Sequence, residues 1–252
     1  MPAYYAHHRF GKLLRKEIPA EARQCIQRFR RMFDVGLQGP DIFFYFNPYW
    51  KTAVGESAST FHKMTGADFF AAAVKAADSE AAMAYLYGLL GHYCLDSHCH
   101  PFVNQLDAAS EAKHVVLEAE FDRYLLVADG EAHPETYEMS RKWKLTRGEC
   151  MTVAGFYPGI TGGQVHRSVR SFARSVRFLA KPQWEKPMRK LGLSFADHMI
   201  PAEEKEDLVL YISELKTHFD EAVQQYPEML ETLLRHMKNG EELGPDFEAV
   251  FG

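Results

Sequence analysis

Apolar residues recur at intervals of three and four along most of this 252-residue chain, and alternating strand patterns are nearly absent. Such spacing gathers apolar side chains on one face of a helix and leaves the opposite face polar. The sequence therefore predicts an all-α fold in which about eight to ten helices pack as a single multi-helix bundle. Expected breaks include Pro182, Pro201 and Pro227. The predicted helical segments are 20–35, 68–77, 80–100, 109–127, 165–180 and 203–237.

Length and composition favour one domain that spans residues 1–252. The net charge is -5, and lysine and arginine residues are scattered among acids. A nucleic-acid-binding protein needs a concentrated basic surface, so we expect no nucleic-acid partner. The sequence does not fix the oligomeric state.

The N-terminal stretch lacks the apolar core of a signal peptide, and no segment approaches the roughly 18 apolar residues of a membrane span. We therefore expect a cytoplasmic protein without stable membrane insertion. The four cysteines are too few and too scattered for a disulfide scaffold, which predicts reduced and mostly buried thiols. They are Cys25, Cys94, Cys99 and Cys150.

The stretch HYCLDSHCHPFV, residues 92–103, carries the strongest chemical signal. His92, Asp96 and His100 follow one another at intervals of four, so each step turns only about 40° around a helix and all three share one stripe. His98 lies about 120° or more away from His92 and Asp96. Pro101 predicts fraying at the end of this helix, which would let His100 turn toward a different metal ion from His92.

Imidazole and carboxylate groups are the zinc ligands that proteins use when thiolates are not involved. A carboxylate can bridge two ions through its two oxygens, which makes Asp96 the natural shared ligand. The alternative is a helix with two surface or capped histidines and a solvated aspartate. The next predicted helix carries His114 and Glu118, a second His-carboxylate pair on one helical face. One such pair is common on protein surfaces, whereas two on consecutive helices are rarer.

Other candidates are weaker in isolation. Asp41 follows a Gly-Pro break and is either a helix cap or a rigidly held ligand. His62 lies in an aromatic context, where a lone histidine is more often a core or surface residue than a ligand. His7 and His8 are adjacent, so one of them faces inward if this segment joins the site. The aromatic run 43–46 is either ordinary core or the wall of a pocket for a choline-like head group.

Taken together, these motifs resemble the bacterial zinc-dependent phospholipase C family, in the order that the family has them and over about half of the chain. The resemblance implies an all-helical fold around a zinc cluster whose ligands come from several helices. The matching stretches are AHHRFG at 6–11, QGPDIFFY at 38–45, His62, GLLGHYCLDSHCHPFV at 88–103 and HVVLEAEFD at 114–122.

The resemblance also implies how the ligands divide among two or three zinc ions. One group implied by it consists of Asp41, His62, His92 and Asp96, with Asp96 bridging to a second ion. Another group implied by it consists of His100, His114 and Glu118. His7 would join Asp96 at the remaining ion.

The chain departs from the family at its start. In secreted members, removal of a leader exposes a tryptophan that completes one zinc site, whereas this chain begins Met-Pro-Ala-Tyr-Tyr. We expect that site to be lost, completed by solvent or completed by a residue from elsewhere. His198 and His166 are the candidates for the last case.

The implied activity is metal-dependent hydrolysis of a small-molecule or lipid phosphoester, with phospholipase C activity as its most specific form. Asp96 would hold the reactive metal pair, and Asp41 would accept a proton. Tyr93, Ser97, Glu120 and Asp122 are candidates for orienting the ligands. One alternative is a di-iron bundle, although such sites typically use ExxH pairs. The other is a non-catalytic descendant that binds metal or a phosphorylated ligand.

Overall fold

The computed structural model describes residues 4–14, 18–48, 50–109, 113–139 and 143–251. Every regular element within these ranges is a helix, apart from an isolated bridge between Thr65 and Val250, so the all-α prediction is confirmed. Short 3-10 helices occur at Gly39–Tyr45, Val74–Ala76, Pro134–Thr136, Pro182–Trp184, Ser194–His198, Glu206–Leu208 and Pro245–Phe247. The α-helices are α1 (Tyr4–Leu14), α2 (Ala20–Arg28), α3 (Arg30–Gly36), α4 (Ala53–His62), α5 (Gly66–Ala73), α6 (Glu80–Ala108), α7 (His114–Ala128), α8 (Arg147–Ala154), α9 (Gly162–Leu179), α10 (Glu185–Lys190) and α11 (Val209–Asn239).

Helix α6 is the central element of the bundle, and it packs against α1, α2, α3, α7 and α11. It begins where the Ser79 side chain accepts a hydrogen bond from the backbone N–H of Ala82, a donor that the first helical turn leaves unpaired. Its backbone lies very close to α3, since a Cβ on Gly88 would overlap the carbonyl oxygen of Phe33. Polar side chains on this enclosed helix must therefore find their partners inside the protein.

Proline does not end the two long helices, contrary to the sequence expectation. Helix α6 continues through Pro101 to Ala108, and α11 runs on past Pro227. An internal proline costs about 3 kcal/mol because it removes a backbone hydrogen bond and crowds the preceding turn. Burial of the neighbouring turns offsets this cost, since Val103 and Tyr226 both lie in the core.

Three other predicted boundaries also shift. The segment 20–35 divides at Phe29, whose backbone (φ -115°, ψ 42°) leaves helical geometry. The α6 helix extends to Ala108, with Ala109 as its cap, and α7 begins at His114. Helix α11 begins at Val209, after a 3-10 turn.

The acidic C-terminal segment docks on the bundle. The backbone N–H of Gly66 donates to the carbonyl oxygen of Ala249 at 2.9 Å, and the Tyr93 hydroxyl donates to the same oxygen at 3.0 Å. Phe251 is fully buried, and its ring centroid lies 6.2 Å from that of His92. The tail therefore closes the bundle behind a candidate ligand. Among the described residues, no helix has the length and apolar character needed to cross a membrane.

Candidate metal centre

The eight candidate ligands converge in one connected cluster at the centre of the bundle. They come from α1, the 3-10 helix Gly39–Tyr45, α4, α6 and α7, so five separate elements must fold before the cluster exists. Seven of them are buried and His114 is partly buried. The eight are His7, Asp41, His62, His92, Asp96, His100, His114 and Glu118.

Asp96 lies between three imidazole rings. Its Oδ1 is 3.2 Å from Nε2 of His7, and its Oδ2 is 3.2 Å from Nε2 of His92. Its Oδ2 is also 3.9 Å from Nδ1 of His100. Among the described residues, neither Oδ2 of Asp96 nor Nε2 of His92 has a hydrogen-bond partner. The two atoms are close to each other, but the geometry of their contact does not suit a hydrogen bond. Buried polar atoms normally have partners, so these atoms point to a group that lies outside the described residues, such as a metal ion.

Asp41 and His62 form a second contact of the same kind. His62 Nδ1 lies 2.8 Å from the carbonyl oxygen of Ala58, so this nitrogen must be the donor of the neutral ring. The lone pair of Nε2 then faces Oδ1 of Asp41 at 2.8 Å. Two lone-pair atoms at this distance require a shared cation, either a proton or a metal ion. The Ala58 carbonyl therefore fixes His62 in the orientation that a metal ligand needs.

Glu118 joins the remaining two histidines. Its Oε1 lies 3.0 Å from Nε2 of His114 and 3.6 Å from Nε2 of His100. The backbone N–H of His114 donates to Oδ1 of Asp107 near the end of α6, which ties the start of α7 to the helix that carries His100. This hydrogen bond places side chains from two consecutive helices side by side.

Three groups of these side chains have ligand atoms that all lie within 4.8 Å of one another. His92 belongs to two of the groups, and Asp41 lies beside His7 as well as beside His62. His100 belongs to a different group from His92 although α6 does not fray at Pro101. Two steps of about 40° turn His100 about 80° away from His92, and this rotation directs it toward α7. The groups are His7, Asp41 and His92; His62, His92 and Asp96; and His100, His114 and Glu118.

Other histidines of the described chain lie outside these groups. His98 is half-buried, and its Nδ1 lies 2.7 Å from the carbonyl oxygen of Cys94. His166 lies beside Cys150, with 4.0 Å between Nδ1 and Sγ. Burial lowers the pKa of His198 against the opposing charge of Glu118, and its buried Nδ1 has no hydrogen-bond partner among the described residues. His198 therefore lies near the cluster without entering a group.

Of the four residues considered for orienting the ligands, Asp122 has the clearest role. Its carboxylate accepts hydrogen bonds from the backbone N–H groups of Tyr5 at 3.1 Å and Ala6 at 2.8 Å. It thereby caps the first turn of α1 from α7 and fixes the helix that carries His7. Among the other three, Tyr93 bonds to the C-terminal tail, Ser97 bonds within α6 and Glu120 pairs with Arg123.

The protonation states of the cluster suit metal binding. Burial lowers the pKa of His92 to about 4, against the opposing effect of Asp96, so the ring is neutral at physiological pH. Burial alone would raise the pKa of Asp96, but the nearby His92, His100 and His7 outweigh it and hold this pKa below its usual range. Neutral imidazole and ionised carboxylate are the forms that bind divalent metals. Burial raises the pKa of the Cys99 thiol, which keeps it protonated and unsuited to ligation.

The interior beside the cluster has room for a small ion. A cavity of about 20 Å³ is lined by His7, Asp96, His100 and Glu118 together with apolar side chains. This volume accommodates one water-sized particle. The unpartnered atoms, the fixed ring of His62 and this cavity all fit the metal ions that the sequence resemblance implies.

Sequence reasoning did not identify Gly39 as part of the site. Its φ of 49° lies in the left-handed region, and a Cβ at this position would overlap the imidazole ring of His92. The glycine thus permits two things at once, the backbone turn before Asp41 and the close approach of His92. The Gly-Pro-Asp run is the available signal in the sequence, but it predicts a backbone break and a role for Asp41 alone, not the approach of His92 to the glycine.

Gly39→Ala is expected to destabilise the fold by more than the roughly 1–2 kcal/mol of a left-handed non-glycine residue, because it also displaces the His92 ring. Gly130 is a matched control, since its φ is 88° and a Cβ there meets no atom of the described residues within 4 Å. Denaturant unfolding and metal analysis measure both effects. Gly130→Ala should lose stability alone, whereas Gly39→Ala should also lose metal. Equal metal content in the two variants would contradict the proposed contact.

Helices that enclose three groups of histidine and carboxylate side chains define a candidate metalloprotein of the all-α class. The family model for zinc-dependent phospholipase C matches residues 6–156, which is more than half of the chain. The chain belongs to this family, and the matched region contains all eight candidate ligands. Neither curated proteins nor solved structures gave a significant match.

Proposed function

We propose that the chain is a metal-dependent phosphoester hydrolase of the phospholipase C type, with the eight candidate ligands holding two or three zinc ions. The observation that carries this proposal is the position of Asp96, whose two oxygens each lie 3.2 Å from a different imidazole. A carboxylate placed in this way is the ligand type that joins neighbouring metal ions. Family membership supports zinc over the iron of a di-iron bundle.

Zinc, when bound, supplies Lewis acidity toward phosphoryl oxygens and lowers the pKa of water. The residues of the chain supply position and proton transfer. We assign Asp41 as the proton acceptor for the water that attacks phosphorus, through its second carboxylate oxygen, because Oδ1 shares a cation with Nε2 of His62 at 2.8 Å. The carbonyl oxygen of Ala58 holds the His62 ring in place, and the Asp122 cap on α1 holds the helix that carries His7.

The substrate would enter through an opening of about 430 Å³ beside the cluster. Within the aromatic run, Phe43 and Tyr45 belong to the core, whereas the half-buried Phe44 lines this opening with its ring centroid 5.2 Å from that of His62. Lys63 offers a cation to an anionic phosphoester. These features favour a small-molecule or lipid phosphoester as substrate. The lining residues are Phe44, Ser59, His62, Lys63, His100, Asn104 and His114.

The proposal is tested with a chromogenic phosphodiester, a phosphomonoester and a phosphorylcholine ester, all presented in solution. The purified protein should contain two or three zinc ions per chain, as the three ligand groups imply, and should turn over at least one of these substrates. Chelation should abolish turnover, and added zinc should restore it. A protein that retains zinc and turns over none of the panel would support the non-catalytic alternative. Iron in place of zinc would support the di-iron class.

A further inference from the structure

The segment 181–193 exposes an unusual amount of apolar surface. Leu191, Leu193 and Trp184 are 74%, 49% and 46% exposed. Trp184, Pro187 and Leu191 are spaced at three and four positions, so helix α10 and its flanking residues present them on one stripe. Exposed apolar residues are ordinary when scattered, but a contiguous exposed group marks an interaction surface.

This surface is held rigidly. Met188, on the inner side of α10, packs into a small core cluster with Leu179, Ala196 and Met199 that is separate from the main core. The backbone N–H of Leu193 donates to the carbonyl oxygen of Met188 at 3.0 Å. The exposed side chains therefore belong to a folded segment that is packed against the protein.

The charge of the segment is opposite to that of the whole protein. The net charge of the chain is -5, yet 181–193 carries four cations and one acid, Glu185. Arg189 pairs with this acid and with Asp197. The other three cations are exposed, and none has an ion-pair partner among the described residues. They are Lys181, Lys186 and Lys190.

A tryptophan and leucines beside lysines are the combination that binds the interface of an anionic bilayer. The indole and aliphatic side chains enter the head-group region, and lysine ammonium groups contact lipid phosphates. Such binding requires apolar area and positive charge, and residues 181–193 supply both.

The segment is also tied to the candidate metal centre. Asp197, in the 3-10 helix that follows it, lies 2.9 Å from Arg189 and 3.5 Å from the ammonium group of Lys113. Lys113 immediately precedes His114, and the 3-10 helix packs on α7, which carries Glu118. A membrane bound by the segment would thus be connected through two ion pairs to the helix that bears candidate ligands.

We propose that residues 181–193 form a docking surface for an anionic phospholipid bilayer, on which the protein binds reversibly. This proposal rests on the proposed function only in naming lipid phosphoesters as the substrate presented there. The docking itself is measured without catalysis.

Sedimentation with vesicles of phosphatidylcholine, with and without phosphatidylglycerol, tests the proposal. The wild-type protein should bind the mixed vesicles more tightly. The double variant Trp184→Ala/Leu191→Ser should bind them at least about tenfold more weakly, because it withdraws two apolar side chains from the interface. Leu210→Ser is a matched control, since Leu210 is 81% exposed on α11 outside the segment, and it should bind like the wild type.

Two further measurements test the role of the lysines and the location of Trp184 at the bilayer separately. The triple variant Lys181→Glu/Lys186→Glu/Lys190→Glu should lose the preference for phosphatidylglycerol, whereas Lys75→Glu, an exposed lysine elsewhere, should keep it. In a Trp50→Phe background, the buried Trp143 contributes a constant emission, and the emission of Trp184 should shift to shorter wavelength on vesicles. Circular dichroism shows whether each variant is folded.

Four outcomes would overturn the proposal. The first three are absence of wild-type binding to mixed vesicles, equal binding by the double variant, and an equal loss of binding in the Leu210→Ser control. The fourth is a wild-type dimer in solution that dissociates in the double variant but not in the control. This last result would assign the surface to a second copy of the chain. Turnover of a phosphodiester in solution should be unchanged in the double variant. Vesicle binding by a protein that hydrolyses no phosphoester would reject the proposed function and leave the docking surface intact.

Discussion

Replacing Asp96 with asparagine is expected to remove at least one zinc ion per chain and to lower kcat/KM for phosphoester hydrolysis by more than about a hundredfold. The wild-type carboxylate faces His7 and His92 through different oxygens, each at 3.2 Å. Asparagine keeps the size of the side chain but has one oxygen and no charge, so it cannot join two ions. Loss of an outer partner of a ligand already costs about ten- to a hundredfold, and loss of a shared ligand should cost more.

Metal analysis and kinetics on the same preparation check this expectation. His98→Ala is the matched control, because His98 lies on the same helix two positions away and contacts the carbonyl oxygen of Cys94 instead of the cluster. The control should keep its metal content and its turnover. A full complement of zinc in Asp96→Asn, or equal metal loss in the two variants, would reject Asp96 as the shared ligand.

The sequence predicts the helical fold and the inward stripe of α6 because both depend on local periodicity. One turn of a helix brings positions four apart to the same face, so His92 and Asp96 can be paired without knowledge of the tertiary structure. The position of His100 cannot be predicted from helical periodicity in the same way. Its assignment depends on accumulated rotation and on where α7 begins, and the expected fraying at Pro101 gave the wrong reason for its separation from His92.

Periodicity in the sequence does not predict contacts between segments that are distant along the chain. The 2.8 Å contact of Asp41 with His62 joins residues on two different elements, and nothing in either local sequence determines it. Local sequence does not predict the role of Gly39 either, because that role depends on the His92 ring, which approaches from α6. The position of Phe251 behind His92 depends on how the C-terminal tail docks. The family resemblance supplied a ligand set that single-residue patterns left open, and the roles in that set remain predictions.

Asp122→Ala is expected to lower the free energy of unfolding of the metal-free protein by about 2–4 kcal/mol, since it removes a fully buried acceptor of two backbone hydrogen bonds. The N–H groups of Tyr5 and Ala6 would be left unpaired inside the protein. In a chain of this size, such a change lowers Tm by about 5–15 °C. Asp122→Asn retains one acceptor oxygen and should fall between the alanine variant and the wild type.

Denaturant titration in the presence of a chelator measures this loss without a contribution from bound metal. Asp129→Ala is the matched control, because the Asp129 carboxylate also contacts α1, accepting from the Tyr5 hydroxyl at 2.6 Å and pairing with Arg9 at 3.0 Å. That carboxylate is 30% exposed, so its removal should cost about 1 kcal/mol or less. After reloading with zinc, Asp122→Ala should hold less metal than Asp129→Ala, because α1 no longer fixes His7. Equal stability and equal metal content in the two variants would show that the cap on α1 does not position this histidine.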